Sequence, residues 1–472
     1  MMKITRIIYT MKKITTLISL LIFTGCTLGP KVERPRICMP GEFAQKLDDT
    51  KEKLKLDEWW KNFNDESLNE YINIAIENNY DLKIAIEKIE EARSFYRIKK
   101  ADLFPEIDLN AKAIREHRSE NVVDTDFLGP LTQSFFQFGF DAFWEVDIFG
   151  RLRKNKEAAF YSYLQQQDSS LDVYITLLSD VARSYIDIVV LKRKIYLNEK
   201  KLALQKRIYK LTKEKFISGL ADEIEPQDQI KIVENLKQNI IDLTTLYKNN
   251  IHRLAILLGQ IPESLECDFS KMKKIPEITK EIEVGLPSDL IRRRPDIRKA
   301  EKFLYSQTAL VGAKIAELFP SFSLVGDFNF EASKSKNWFQ WASKAWSIGP
   351  SMNLPIIDFG RRLANVDVAK SLHRQAISAY KNSVILALED VENALVAYFH
   401  EKQNYSFISK KLTAQKNITY LSRDLFTSGL DSETSYLQSR QTLIDVENEF
   451  IDKKRNVSVD LIALIKALGG GY

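Results

Sequence analysis

Two long stretches of the chain contain neither glycine nor proline, and no other feature restricts its fold as strongly. Each stretch has 68 residues, the first between Gly150 and Gly219 and the second between Gly360 and Gly429. Glycine and proline are the residues that most often interrupt helices. We therefore predict one uninterrupted helix in each stretch, about 100 Å long given the rise per residue of an α-helix. No single globular core is that deep.

The first stretch also carries a heptad pattern of apolar residues, at Leu171, Tyr174, Leu178, Val181, Tyr185 and Ile188. This spacing is typical of a seam that packs against neighbouring helices. A shorter helical segment follows each stretch after a Ser-Gly-Leu turn, over 222–258 and 432–468. The sequence therefore predicts two long helical hairpins.

Short motifs recur at a nearly constant distance, which indicates that one unit is built twice. Leu103-Phe104-Pro105 recurs 215 residues later, and Phe149-Gly150-Arg151 and Ser218-Gly219-Leu220 recur 210 residues later. From this repeat we predict a first copy over 65–259, a connector over 260–285 and a second copy over 286–472. The preceding residues are expected to be a signal peptide over 1–25 and a lipid-anchored extended leader over 26–64, for the reasons given below. Within the repeats we expect strand hairpins over 106–147 and 321–354, and helical hairpins over 151–258 and 361–468.

The segments before the long helices alternate apolar and polar residues, which is the period of a β-strand. Alternation runs through 106–113, 136–147, 322–330 and 346–353, with Phe143 as an exception. Four strands in two hairpins are expected. A sheet with one face on a core accounts for the pattern, and so does a membrane barrel with apolar side chains toward lipid. The aromatic residues that suit an interfacial girdle are Phe135, Phe136, Trp144, Trp338, Phe339, Trp341 and Trp346.

Four strands are too few to close a membrane barrel. Known barrels have at least about eight strands, and an open edge in lipid leaves backbone groups unpaired. Several chains must therefore share one barrel. Three chains would supply twelve strands and twelve helical segments around one axis, so a membrane barrel would imply a homotrimeric duct.

The start of the chain has the pattern of a secretory signal. Met11 is a second candidate start, and a mostly apolar run over 14–23 leads to small residues and Cys26. The run is shorter than the ~20 residues of a membrane-spanning helix. It resembles the bacterial lipoprotein signal, which implies lipid attachment at Cys26; an ordinary secreted protein is the alternative. A bridge between Cys38 and Cys267 is possible in an oxidising compartment, but their spacing does not argue for one.

Composition argues against nucleic-acid binding and catalysis. Lys and Arg number 69 and Asp and Glu 64, and four of the five surplus positive charges lie in the first 25 residues. The rest is almost neutral, whereas phosphate binding needs a concentrated cationic surface. No nucleophile elbow, phosphate loop or zinc motif accompanies the scattered histidines. We expect no catalytic residue, no metal and no cofactor. The histidines are His117, His252, His373 and His400.

Longer motifs cover nearly the whole chain and carry a family resemblance. They are LPSDLIRRRPDIRKAE over 286–301, continuing as ALVGAKIAELFPSFSL, together with EVDIFGRLR over 145–153, LPIIDFGRR over 354–362 and Trp59-Trp60. The chain resembles the TolC-like outer-membrane factor family, in the lipoprotein (NodT-like) branch that serves tripartite RND-type efflux pumps. The resemblance implies an α+β membrane protein of the outer membrane, in which a trimeric β-barrel with four strands per chain continues into a periplasmic helical barrel.

The same resemblance implies the function and the partners. The chain would be the exit duct of a tripartite efflux system, with a periplasmic adaptor and an inner-membrane transporter as partners. Two alternatives stay open: the outer-membrane duct of a protein-export (type I secretion) system, and a structural coiled-coil lipoprotein without a pore. The strand hairpins argue against the second alternative.

The ends of the helical hairpins carry the candidate functional residues. The resemblance implies that the adaptor meets the two turns, at Ser218, Gly219, Leu220, Ser428, Gly429 and Leu430. Three-fold symmetry would stack the acids after the turns into rings that close the periplasmic end and favour cations. These acids are Asp431 and Glu433, with Asp222 and Glu223 in the first copy. The alternative is that they only complement the positive end of a helix. Gln438-Ser439-Arg440-Gln441 departs from the family's common Asp-Ala-Gln-Arg, so a different polar network is expected there.

Overall fold

Long α-helices and one four-stranded antiparallel sheet make up the architecture. The computed structural model describes residues 27–35, 37, 39–43, 53–54, 58–119, 121, 131–265, 269, 274–278, 281–282 and 287–470. Cys26, Cys38 and Cys267 fall outside these ranges, as does the predicted signal peptide over 1–25. The predicted lipid attachment and the question of a disulfide therefore concern residues outside the described ones.

Eight α-helices and six strands follow one another along the described part of the chain. In chain order they are β1 (Lys53–Leu54), α1 (Glu66–Asn78), α2 (Tyr80–Ala101), β2 (Glu106–His117), β3 (Thr132–Val146), α3 (Arg151–Ile217), α4 (Ile224–Leu257), β4 (Glu281–Ile282), α5 (Leu290–Arg293), α6 (Pro295–Ala316), β5 (Ser321–Ala332), β6 (Lys344–Asn353), α7 (Arg361–Thr427) and α8 (Glu433–Ala467). Among these helices, none is both long enough and apolar enough to cross a membrane.

The chain packs into two compact units, and each unit takes segments from both halves of the sequence. The sheet unit comprises Met1–Arg36, Ile89–Gln166 and Lys299–Tyr380. The hairpin unit comprises Ile37–Lys88, Gln167–Arg298 and Lys381–Tyr472. The compact units are therefore not consecutive segments of the chain, unlike the two predicted repeats.

The sheet unit contains the four strands that alternation predicts. Their order is β2-β3-β5-β6, with every neighbouring pair antiparallel. β2 and β6 are the edges of this sheet, and neither has a second partner among the described strands. The prediction of four strands in two hairpins is confirmed, and the two hairpins pair with each other through β3 and β5.

The pairing register sorts the side chains of the sheet onto two faces, because directly opposed residues share a face and neighbours along a strand alternate. The apolar face carries Ile107, Leu109, Phe138, Phe140, Phe328, Phe330, Trp346 and Ile348. The opposite face, here called the acidic face, carries Glu106, Asp108, Glu116, Asp141, Glu145, Asp327 and Glu331. Phe143, the exception to the alternation, lies on the acidic face and is half exposed.

The two glycine-free stretches form α3 and α7, each 67 residues long, as predicted. Each helix follows a glycine with positive φ, Gly150 at 83° and Gly360 at 87°. The carboxylate of Asp147 accepts hydrogen bonds from two N–H groups of the first turn of α3, at 2.8 and 3.1 Å. Asp358 accepts from the N–H of Gly360, just before α7, and from the N–H of Arg362 in its first turn, at 3.1 and 3.3 Å. The Phe-Gly-Arg motifs are therefore helix starts, in which a preceding aspartate satisfies otherwise unpaired N–H groups.

The core of the hairpin unit confirms much of the heptad seam. Leu178, Val181, Tyr185 and Ile188 are fully buried, whereas the two earlier heptad positions are partly exposed. The predicted extended leader differs from the structure in one segment, because Trp59–Phe63 is a 3-10 helix. This tight turn buries three aromatic side chains, which an extended segment would spread to alternate sides.

Candidate functional site at the helical turns

The two Ser-Gly-Leu turns have the same backbone construction. Gly219 and Gly429 adopt φ of 71° and 72°, in the left-handed region that glycine enters without steric cost. In each turn the glycine N–H and the next leucine N–H donate to carbonyls of the preceding helical turn, at 2.9–3.0 Å. This is the Schellman arrangement that ends a helix. It explains why α3 and α7 end at these turns.

Apolar side chains project from the turns into solvent. Leu220 is 78% exposed, Leu430 is 76% exposed, and Ile217 and Ile224 on either side of the first turn are also exposed. Space is open around both turn glycines, since an added Cβ would meet no atom within 4 Å. The turns therefore present exposed leucines on a defined backbone.

The acids after the turns lie at helix ends. Asp222 Oδ1 accepts from the N–H groups of Ile224 and Glu225, at 3.0 and 3.1 Å, where it satisfies the first turn of α4. Hydrogen bonds from Ser435 and from the Ser432 N–H hold the pKa of Asp431 below its ordinary value. These contacts of Asp222 and Asp431 are those expected if the acids complement the positive end of a helix, which is the alternative to a ring of acids around a pore.

Glu433 makes a contact with α3 that the sequence does not predict. Its two carboxylate oxygens accept from Arg207 at 2.7 and 2.8 Å in a bidentate pair. This hydrogen bonding lowers the pKa of Glu433 and raises that of Arg207. The partners are 226 residues apart, so no local pattern in the sequence could have paired them.

Three further ion pairs join the same helices. In one of them the cation is on α8, because Arg455 contacts Asp187 on α3 at 2.5 Å. In the other two the cation is again on α3 and the carboxylate on α8. Lys201 contacts Asp445 at 2.6 Å, and Lys194 contacts Asp452 at 2.9 Å. Exposed pairs of this kind contribute little individually, typically about 0–1 kcal/mol each. As a series with the Arg207 pair, they fix the register of α8 against α3.

A chain of side-chain amides crosses three helices near the turns. Gln441 on α8 donates to Gln205 on α3, and Gln205 donates to Gln229 on α4, each at 2.7 Å. Gln205 is buried and its two partners are partly exposed, so both bonds are partly shielded from water. Gln441 belongs to the segment that departs from the family's common residues, and it forms a polar network here.

An aromatic stack closes the second turn. The rings of Phe426 on α7 and Tyr436 on α8 are nearly parallel, at 5°, with centroids 5.9 Å apart. The guanidinium of Arg440 lies 5.9 Å from the centre of the Tyr436 ring. These contacts tie the last turn of α7 to the first turns of α8.

The most distinctive sequence motif builds a structural clamp. Arg294, the third of three consecutive arginines, is 9% exposed. It donates to both carboxylate oxygens of Asp296 at 3.0 and 2.7 Å, to Asp390 at 2.9 Å and to the carbonyl of Ala467 at 3.0 Å. The last contact satisfies a free carbonyl at the C-terminal end of α8. The motif therefore holds the end of α8 in the hairpin unit.

The first half of the chain contains a similar clamp without a charge. Asn79 is buried, and its side chain donates to the carbonyl of Leu257 at the end of α4, at 2.9 Å. Asn79 lies 215 residues before Arg294, and Leu257 lies 210 residues before Ala467. The two clamps thus stand at the offsets that the recurring motifs have.

Across the described residues, no group of three or more His, Cys, Asp or Glu side chains is arranged to hold a metal ion. The site is accordingly a set of exposed turns, helix-end acids and ion pairs between helices. Such a surface can contact a protein partner and can move, because most of its polar contacts are exposed.

Comparisons with known proteins agree with this architecture. The sequence model of the family described as "Outer membrane efflux protein" matches residues 71–260 and 286–470. Nodulation protein T of Rhizobium leguminosarum bv. trifolii is 28% identical over 96% of either chain. The probable efflux pump outer membrane protein TtgC of Pseudomonas putida is 26% identical over 96% of this chain and 94% of that protein. The crystal structure of the Campylobacter jejuni CmeC outer membrane channel superposes with a TM-score of 0.85 at 25% identity, covering 95% of both chains.

Proposed function

The chain belongs to the outer membrane efflux protein family and is an outer-membrane efflux channel, and we propose that it is the exit duct of a tripartite pump. In this proposal an inner-membrane transporter supplies the substrate. A periplasmic adaptor joins the transporter to the duct, and three copies of the chain form the duct.

The sheet is the observation that carries this proposal. Its apolar face exposes Phe140, Trp346 and Ile348, and its edge strands β2 and β6 are open in the described chain. Open edges are incompatible with lipid, so β6 of one copy would pair with β2 of the next until the barrel closes. Three copies would give twelve strands, which is within the range of known barrels.

Native mass spectrometry of the detergent-solubilised protein tests the shared barrel. We expect three chains per particle. A stable single chain that conducts ions in a planar bilayer would contradict the proposal, because four strands cannot enclose a pore.

We propose that the adaptor contacts the turns Ser218-Gly219-Leu220 and Ser428-Gly429-Leu430. The support is the exposure of Leu220 and Leu430, which offer apolar anchors of the kind that protein interfaces bury. Leu220→Asp and Leu430→Asp should weaken co-purification of an adaptor encoded beside this gene, while channel conductance stays as in the parent. Undiminished co-purification with both variants would exclude the turns as the contact.

We further propose that Asp431 and Glu433 line a cation-selective constriction at the periplasmic end, with Asp222 and Glu223 as the first-copy set. Asp222 and Asp431 both accept from N–H groups at a helix start, and Glu433 is paired with Arg207. We test Asp431, because it belongs to the second-copy set and is not held in an ion pair with α3. Single-channel recording of Asp431→Ala should show reduced cation preference, and the control Glu447→Ala, further along α8, should not. If both variants conduct as the parent does, Asp431 acts only at the helix end, and Tyr436 and Arg440 are the next candidates.

Lipid attachment at Cys26 is also proposed, and the leader supports it. Thr27, the next residue, packs against Gly150, where an added Cβ would lie 3.2 Å from the Thr27 Cα. The leader therefore begins beside the junction of β3 and α3, within the sheet unit. Mass spectrometry should find a diacylglyceryl group on an N-terminal Cys26, and an unmodified N-terminus upstream of it would contradict this proposal.

Finally, we infer that residues 65–259 and 286–472 are two copies of one unit. The two helix-end clamps support this inference. So do the glycines that follow α4 and α8, because an added Cβ at Gly259 would meet the backbone of Asn78 and one at Gly469 would meet the backbone of Arg293. Gly259→Ala and Gly469→Ala should both lower the thermal midpoint, Gly259→Ala more, because its added Cβ would meet backbone at 2.5 Å rather than 3.1 Å. Gly219→Ala is the matched control, because its φ is similar and its surroundings are open. Equal losses in all three variants would show that only φ matters.

A further inference from the structure

The apolar face of the sheet carries basic residues at one end of its strands, the end where loops join β2 to β3 and β5 to β6. Arg115 near the end of β2 shares a face with Ile107 and Leu109, and Lys344 at the start of β6 shares a face with Trp346. Both basic residues are exposed. Lys334 follows β5 with extended backbone, two residues after Ala332, and is exposed as well. The three cations thus mark one rim, here called the basic rim.

The described strands place no carboxylate on this face. In the described strands β2, β3, β5 and β6, every Asp and Glu side chain lies on the acidic face. Glu116, the acid at the loop end of β2, points to that opposite face and contacts Arg118 at 2.8 Å. The sheet therefore separates charge by face, and the strands place no acid on the basic rim's own face.

Aromatic side chains accompany the basic rim. The Lys344 ammonium lies 4.5 Å from the centre of the Trp341 ring, and Trp341 and Trp346 are 68% and 67% exposed. Phe339 in the same loop is exposed too. Exposed tryptophan beside lysine, at the end of an apolar surface, is the composition of a membrane–water interface.

The chain connectivity assigns this rim to one leaflet, on the premise that the protein is the outer-membrane channel proposed above. α6 precedes β5 and α7 follows β6, so the loop between β5 and β6 lies at the strand end away from these helices. With the helices on the periplasmic side, the rim faces the outer leaflet. The lipid of that leaflet is lipopolysaccharide, whose lipid A moiety carries phosphate groups.

We propose that Arg115, Lys334 and Lys344 bind the phosphates of lipid A at the outer leaflet. The apolar face contacts the acyl chains, the tryptophans lie at the interface, and the three cations reach the phosphates just above it. Charge complementarity selects this occupant, because the rim is cationic and no acid of the strands lies on its face.

Binding of purified lipid A to the detergent-solubilised protein tests the proposal. Each basic residue near an anionic lipid surface raises binding affinity about fivefold. The triple variant R115Q/K334Q/K344Q should therefore bind lipid A about a hundredfold more weakly than the parent. Lys344→Gln alone should weaken binding about fivefold and covers the case that the triple variant fails to fold. Lys112→Gln is the matched control, since Lys112 is on β2 but on the acidic face.

Two comparisons decide the ligand. Lipid A stripped of its phosphates should bind the parent as weakly as intact lipid A binds the triple variant, and millimolar inorganic phosphate should not displace intact lipid A. Equal binding of both lipids, displacement by inorganic phosphate, or unchanged binding by the variants would each overturn the proposal. Native mass spectrometry reports the channel separately. A trimeric parent that does not bind the phosphates refutes only the role of the rim, whereas a parent that is a stable monomer refutes the shared-barrel channel.

Discussion

Replacing Arg294 by alanine should loosen the C-terminal end of α8 and little else. Its hydrogen bond to the Ala467 carbonyl is charge-assisted and buried, which is worth about 1.5–3 kcal/mol. The ion pairs add less, because the Asp296 and Asp390 side chains are 36% and 57% exposed. Pairs so open to water contribute about 0.2–1 kcal/mol each. The total loss is therefore about 2–5 kcal/mol.

Hydrogen–deuterium exchange of a peptide covering 461–470 measures this loss directly. Of these contacts only the Ala467 bond is made to α8, and a local opening that becomes about 1.5 kcal/mol easier exchanges about 13-fold faster. We therefore expect at least that acceleration in Arg294→Ala, and a smaller one in Arg294→Lys, which keeps the charge but not the bidentate geometry.

Arg292→Ala is the matched control, since Arg292 lies in the same arginine run but is exposed. It should exchange as the parent does. Parent-like protection in Arg294→Ala, or an equal loss in Arg292→Ala, would refute the assignment of the clamp to the third arginine.

Three other perturbations follow from the sheet, the turns and the leader. Phe140→Arg on the apolar face should reduce outer-membrane assembly more than Asp141→Arg on the acidic face, given a midplane cost of about 2–4 kcal/mol; equal yields in membrane fractions would contradict this. The hydrogen bond from Arg207 lowers the pKa of Glu433. The ion pair should therefore stabilise the folded protein above the ordinary glutamate pKa of 4.5, and this stabilisation should disappear as the pH falls through the lowered value. The gap in thermal midpoint between the parent and Glu433→Gln should therefore close in acid, and a gap that persists to pH 2 would count against the ion pair. Gly312→Ala places a Cβ 2.7 Å from a leader carbonyl and should expose the leader to proteolysis, unlike Gly349→Ala, where space is open.

The sequence predicts the elements of this fold well because their signals are local. The absence of glycine and proline locates α3, and a Ser-Gly-Leu turn ends it at Ile217. Alternation locates the strands, and the first short helix, expected over 222–258, runs over Ile224–Leu257. The distant contacts were not predictable. Neither the Arg207–Glu433 pair nor the burial of one arginine among three has a local pattern, because packing between remote segments decides them.

The division into units illustrates the same limit. Motif offsets suggest two consecutive repeats, whereas compactness groups corresponding parts of both halves. Segments with similar local sequence form similar elements, and corresponding parts of both halves belong to the same compact unit. Sequence similarity therefore predicts the elements, and the hydrophobic effect decides which of them share a core.

The ion pairs between α3 and α8 set the kind of motion that the turn region can make. Lys194 and Lys201 are one heptad apart and face acids that are also one heptad apart, so sliding α8 along α3 would break both pairs unless it moved by a whole heptad, about 10 Å. Tilting breaks fewer contacts between these two helices, namely the Arg207 pair nearest the turn and the Gln205–Gln441 hydrogen bond. The Lys201 pair, about 9 Å further along α3, then acts as the pivot. On α8 the segment from Asp445 to Glu433 is 12 residues, about 18 Å, and this segment can tilt while the remainder of the helix keeps its alignment.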